Sequence, residues 1–162
     1  MKALFVAILS LFTLQSYAQD ADVLQQQLQE IITDFPNHFK NLKENDGFTV
    51  KLKISGSIGN SFVMGGGDNS YIASSIGNPT DDQDAQDLLS QWSEVINKLT
   101  FKGSNFVSSE CKNKSEFTAY CKEWHFGSMD FNVGSSYHQF TIGINIINID
   151  GGYAAAVYFG HW

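Results

Sequence analysis

The residues able to move a proton or hold a metal are few: His38, His125, His138 and His161, with Glu123 and Asp130 close by in the chain. A metal site needs ligands at a spacing that brings them to one point, and no HxH or HExxH pair is present. His138 and His161 fall on one face of a C-terminal hairpin near its open end, where Glu123 or Asp130 could join them. Without ligand spacing, neither a metal nor a cofactor is expected. His125, near Glu123 and Asp130, is the weak candidate for a general acid or base.

Other features that resemble chemistry have plainer causes. No serine sits in GxSxG or SxxK, so nucleophilic catalysis has no motif. Gly65, Gly66 and Gly67 lack the Lys-Ser/Thr that completes a phosphate loop. Asp81, Asp82, Asp84 and Asp87 suggest calcium, yet they lack the Asp-x-Asp-x-Asp-Gly order. They stand where a helix begins, and negative charge there complements the helix dipole.

Compartment is the most legible property. Lys2, an apolar stretch over residues 3–14 and small Ser16 and Ala18 have the three-part layout of a secretory signal peptide. That stretch is short of the roughly 20 residues that span hydrocarbon. The expectation is a cleavable signal peptide over residues 1–18, with residues 19–162 forming one α+β domain, secreted or periplasmic. No cysteine follows the cleavage point, so no lipid anchor is expected, and no later segment reads as a membrane span. Cys111 and Cys121, neither CxxC nor half a zinc site, then suit a structural disulfide. Asn113 opens a formal glycosylation acceptor, Asn113-Lys114-Ser115.

The chain has 17 acidic and 10 basic residues, a formal net charge of -7, or -8 once Lys2 is removed. All ten basic residues are lysines. Nucleic-acid readers and phosphate clamps rely on positive patches and on arginine's forked donors, so nucleic acid is not an expected partner.

Apolar periodicity supplies the elements. Asp22 and Gln25 read as a capping pair ahead of Leu24, Leu28, Ile31, Ile32 and Phe35 on one helical face; Pro36 kinks or restarts that helix before Phe39 and Leu42. A second helix follows Pro79-Thr80, with Gln83 in the capping-box position and a stripe of Leu88, Leu89, Trp92, Val95, Ile96 and Leu99. Alternation at Phe48, Val50, Leu52 and Ile54 predicts a strand, and a hairpin is expected about the glycine turn at 65–69. Further strands are expected over 101–107, 116–126, 137–148 and 153–162. The order helix, about three strands, helix, about four strands implies two amphipathic helices packed on an antiparallel β-sheet.

Asp150-Gly151 is a strong two-residue hairpin turn. It sets Ile146 opposite Ala155, Ile144 opposite Val157, Ile142 opposite Phe159 and Phe140 opposite His161, giving one apolar face. The other face pairs Asn145 with Ala156, Gly143 with Tyr158, Thr141 with Gly160 and Gln139 with Trp162, with Tyr137 beyond. Tyr158 can be read as a ring that covers Gly143, or the whole face as a recognition surface. Tyr120, Trp124 and Phe126 share a strand face with Lys122, either buried or exposed.

These readings converge on a secreted, non-enzymatic binding module that meets an extracellular or envelope protein or ligand through Tyr137, Gln139, Asn145, Tyr158 and Trp162. A small secreted hydrolase or lyase built around His125 is the alternative. A structural envelope protein is a third class.

Overall fold

The computed structural model describes residues 21–111, 114–127 and 132–162. The expected signal peptide, Asn113 and Asp130 lie outside them. Helix α1 covers residues 21–34 and buries Leu24, Leu28, Ile31 and Ile32, the face its spacing predicts. Asp22 and Gln25 are not a capping pair: Asp22 lies inside the helix, and the Gln25 amide reaches Thr100, donating to its carbonyl at 2.7 Å and accepting from its N–H at 2.8 Å.

Pro36 does end the helix. It cannot donate to the ladder, and a 3-10 turn over Phe35–Asn37 follows, then His38 and Phe39 in the left-handed region at φ 57° and 59°. Such angles are costly for bulky residues and persist only where surroundings hold them. Buried Asp34 supplies that hold: its carboxylate accepts from the backbone N–H groups of Asn41 and Leu42 and from the side-chain amides of Asn37 and Asn41. Phe39 is thereby driven wholly into the core.

The expected strand over 48–54 is absent. Asp46 takes the backbone N–H groups of Phe48 and Thr49 into a tight turn, so the ladder is reduced to single bridges, Lys43 with Val50 and Thr49 with Phe62. Val50 and Ile54 are still buried, whereas Phe48 lies outside and stacks on Phe62.

Seven strands form one antiparallel sheet: β1 (Ser61–Gly66), β2 (Asn69–Gly77), β3 (Thr100–Phe101), β4 (Ser104–Ser109), β5 (Thr118–Phe126), β6 (Thr141–Ile149) and β7 (Gly152–Gly160). Their spatial order is β1-β2-β7-β6-β5-β4-β3. Two strands therefore precede the second helix and five follow it, rather than three and four. The additional break falls at Lys102-Gly103, where φ of 52° and 80° make a hairpin turn inside the run expected to be one strand.

The β6–β7 register agrees with the turn-based derivation from Ile149 opposite Gly152 to Thr141 opposite Gly160. Its last two pairs are not formed. Phe140 and Gln139 precede β6, and His161 and Trp162 follow β7.

Helix α2 (Asp82–Ile96) packs on β5 and β6. Its N-cap is Asp81, whose side chain accepts from the Asp84 N–H, so Gln83 is not a capping-box partner and donates to Asp87 instead. The tight start of α2 also carries Asp82, which accepts from the hydroxyls of Tyr120 at 2.6 Å and Tyr153 at 3.2 Å, one on β5 and one on β7. Buried residues of both helices and of one sheet face, including Trp124, Phe126, Ile144, Val157 and Phe159, form a continuous apolar core. Trp124 is thus core, its indole N–H donating to Asn97 at 2.8 Å, with the Lys122 ammonium 5.3 Å from its ring. Among the described residues no helix is long and apolar enough to cross a membrane.

Candidate functional site

Side chains alternate across a strand, so fixing Trp124, Ile144 and Val157 in the core turns Glu123, His125, Gly143, Asn145 and Tyr158 to the opposite face. Two neighbouring clefts lie there, and neither helix contributes to their lining.

The first cleft, of about 180 Å³, is lined by Tyr71, Glu123, Gly143, Asn145, Tyr158 and Trp162, with Cys121 at its margin. Tyr71 comes from β2 because β2 pairs with β7, setting Ala73 opposite Tyr158 and Tyr71 opposite Gly160. Gly160 is required at that point: φ is 140°, and a Cβ would collide with the backbone of Ser70 and Tyr71. Beyond it the chain folds back, and the Trp162 ring settles on Gly143, where any Cβ would occupy the position of the indole. The ring that covers Gly143 is therefore Trp162, not Tyr158. The three rings form a cluster with centroids 5.7 Å apart for Tyr71–Tyr158, 6.0 Å for Tyr71–Trp162 and 5.6 Å for Tyr158–Trp162. Their planes meet at 66°, 68° and 44°, so they stand as walls rather than as a flat platform. Burial pushes the Tyr158 phenol above its ordinary pKa, and the neighbouring Tyr71 phenol adds to the effect.

Two acceptors in this cleft lack partners among the described residues. The Asn145 side-chain oxygen is buried and unbonded, a state that costs about 1–3 kcal/mol for a neutral polar group. The Glu123 carboxylate has no cation on it.

The second cleft, of about 330 Å³, shares Glu123 and Trp162 and gathers Ser109, His125, His138, Gln139, Thr141 and His161. His138 and His161 line this one cleft, together with His125. Each imidazole is tied down by one nitrogen: His138 Nε2 to the Val133 carbonyl at 2.9 Å, His161 Nδ1 to the Asp68 carbonyl at 3.1 Å, and His125 Nδ1 to the Ser109 hydroxyl at 3.5 Å. Among the described residues, the only side-chain ligand atoms that converge in a group of three belong to Cys111, Cys121 and Glu123, and the two sulfurs are joined to each other in a disulfide. The four aspartates at the start of α2 are spent on the cap, on Thr80, on Gln83 and on the two tyrosine hydroxyls.

Of the five residues expected to form a recognition face, Asn145, Tyr158 and Trp162 share the first cleft, and Gln139 joins Trp162 in the second. Tyr137 is elsewhere. It sits in a 3-10 turn over Ser135–Tyr137, packs on Phe101 at 5.3 Å between centroids and has the Lys102 ammonium 5.1 Å from its ring. Residues before Thr141 leave the strand, so alternation no longer assigns them a face. Tyr71 is the residue that sequence reasoning missed, and Glu123, read only as a partner for the histidines, lines the aromatic cleft as well. Glu123 follows at once from a buried Trp124, whereas Tyr71 depends on a pairing between strands far apart in the chain.

No family model, no curated protein and no solved structure matches this chain.

Proposed function

We propose that this is a secreted binding protein that receives its ligand on the helix-free face of its sheet, in the cleft walled by Tyr71, Tyr158 and Trp162. The observation that carries the reading is the convergence of three aromatic rings, one from β2 and two from the C-terminal segment, beside a buried amide oxygen that no protein group bonds. A buried acceptor that no protein group bonds is satisfied by a donor on a bound molecule. The Cys111–Cys121 disulfide and the signal-like residues 1–18 support an extracytoplasmic setting.

The test is a fragment and metabolite screen on isotope-labelled protein by NMR. Binders are expected to shift the Gly143, Asn145 and Tyr158 amides, and Trp162→Ala is expected to abolish those shifts while the fold holds. Hits confined to other surfaces would sink the proposal.

A second, hydrolytic reading has one observation in its favour, the Ser109–His125 contact in a cleft that also holds Glu123. Its separation is at the outer limit of a hydrogen bond. Covalent labelling of Ser109 by a fluorophosphonate, lost in His125→Ala, would establish it.

A further inference from the structure

We propose that the ligand of the aromatic cleft is a small organic ammonium ion bearing N–H groups, held by the rings of Tyr71, Tyr158 and Trp162 and by the oxygens of Asn145 and Glu123; this rests on the cleft being a binding site. Three properties of the cleft select that chemistry. Its walls are three aromatic rings that meet at 66°, 68° and 44°, an arrangement rich in π surface that does not make the flat platform on which a sugar ring stacks. It holds two unpartnered acceptors: the buried Asn145 oxygen requires an N–H or O–H donor, and the Glu123 carboxylate favours a charged one.

Among the described residues no lysine lines the cleft, and Lys122 on the same strand points to the opposite face, over Trp124. Among the described residues nothing within the site neutralises Glu123, and the chain as a whole carries a formal charge of -7, which steers cations toward it. An anion would meet Glu123 uncompensated. The cavity of about 180 Å³ is below the 300–1,000 Å³ typical of pockets that enclose drug-sized ligands, so the fit is to an ammonium head on a short alkyl chain.

The measurement is a titration of the oxidised protein with n-butylammonium chloride, followed by NMR and by tryptophan emission. Trp92 and Trp124 are buried, so a change in emission reports on Trp162. Tetramethylammonium, which has charge but no N–H, and neutral 1-butanol serve as comparison probes. The expected result is that n-butylammonium shifts Gly143 and Asn145, that tetramethylammonium binds about tenfold more weakly, and that Glu123→Gln costs about tenfold. Higher salt should weaken the interaction further. Glu123→Gln keeps size and shape, so loss of fold does not confuse the comparison.

If 1-butanol binds as well as the ammonium, or Glu123→Gln leaves affinity unchanged, the ammonium assignment is overturned while the cleft stays a binding site. If the ammonium ion moves none of these residues but a neutral or anionic fragment from the wider screen does, the assignment again fails alone. If no probe moves them, the binding-site reading falls with it.

Discussion

At the scale of single residues, Gly143 has the most demanding role. The indole of Trp162 occupies the space a side chain would need, and the aromatic wall of the cleft depends on that contact. Gly143→Ala should expel the ring rather than distort the sheet, because Trp162 lies beyond β7 and has no strand partner to hold it. The expected outcome is a red shift in tryptophan emission with a stability loss of about 1 kcal/mol or less, toward the low end for added bulk. A large loss in denaturant midpoint with unchanged emission would show that the ring is pinned. The legibility of this site in the sequence was partial for a physical reason. Strict alternation placed Asn145 and Tyr158 correctly, since both lie within the β6–β7 ladder. Trp162 and Tyr137 stand outside that ladder, where alternation has no force, and so one ring came to Gly143 unannounced while the other left for the core.

At the scale of elements, side-chain oxygens and amides do what apolar periodicity could not announce. Asp34 holds the turn that buries Phe39, and its bonds are shielded from water. Asp34→Ala should cost about 2–4 kcal/mol, the magnitude of losing several hydrogen bonds to a buried charged acceptor, measured as a fall in urea midpoint with m unchanged. Asp82 clasps α2 to β5 and β7. The Tyr120 hydroxyl is the main reason its carboxyl lies below the usual range; burial opposes it, and Gln86 and Tyr153 assist. A depressed carboxyl contributes stability above its ordinary pKa of about 4 and loses it as pH falls through the folded value. The phenols behave oppositely. Tyr120, chiefly through its bond to Asp82, and Tyr153, chiefly through burial, are raised, so their contribution is present below pH about 10 and lost above. Asp82→Asn should flatten the acid limb of a stability–pH profile, and Tyr120→Phe should flatten both limbs. An unchanged acid limb in Asp82→Asn would remove the clasp from the account. The sequence displayed these aspartates as helix-start charges, which accounts for their position and not for their partners, because the partners come from strands 38 and 71 residues away.

For the whole molecule, the α+β class, the antiparallel sheet and the C-terminal register followed from local patterns, while the strand count did not. The segment over 48–54 has a strand's alternation but loses its ladder to Asp46, and Lys102-Gly103 breaks the run over 101–107 that reads as one strand, without the usual turn residues before the glycine. Local preference was overridden in both places by a side chain or backbone angle that only the assembled fold stabilises. The Cys111–Cys121 bond ties the approach to β5, its Cα atoms 5.8 Å apart across a separation of 10 residues. A loop of that size restrains the unfolded chain by about 2–3 kcal/mol. Reduction, or the double change Cys111→Ser with Cys121→Ser, is expected to lower stability by that amount. Because Cys121 borders the aromatic cleft, the same change should also weaken ligand binding, and intact binding in a fully reduced protein would uncouple the two.

The glutamine clamp on Thr100 has a bearing on how copies of this chain treat one another. A sheet's outermost strand offers a bare row of peptide groups, and a stranger's extended segment can zip onto it. Here β3 is only two residues long, and Gln25 and Gln29 from α1 spend their amides on Thr100, supplying the bonds a foreign strand would make. On the far side, the backbones of Phe48 and Val50 take up Val63 and Ser61 of β1. The sheet is thus covered at Thr100 on one edge and at Ser61 and Val63 on the other, which blunts both edges as templates for fibril growth.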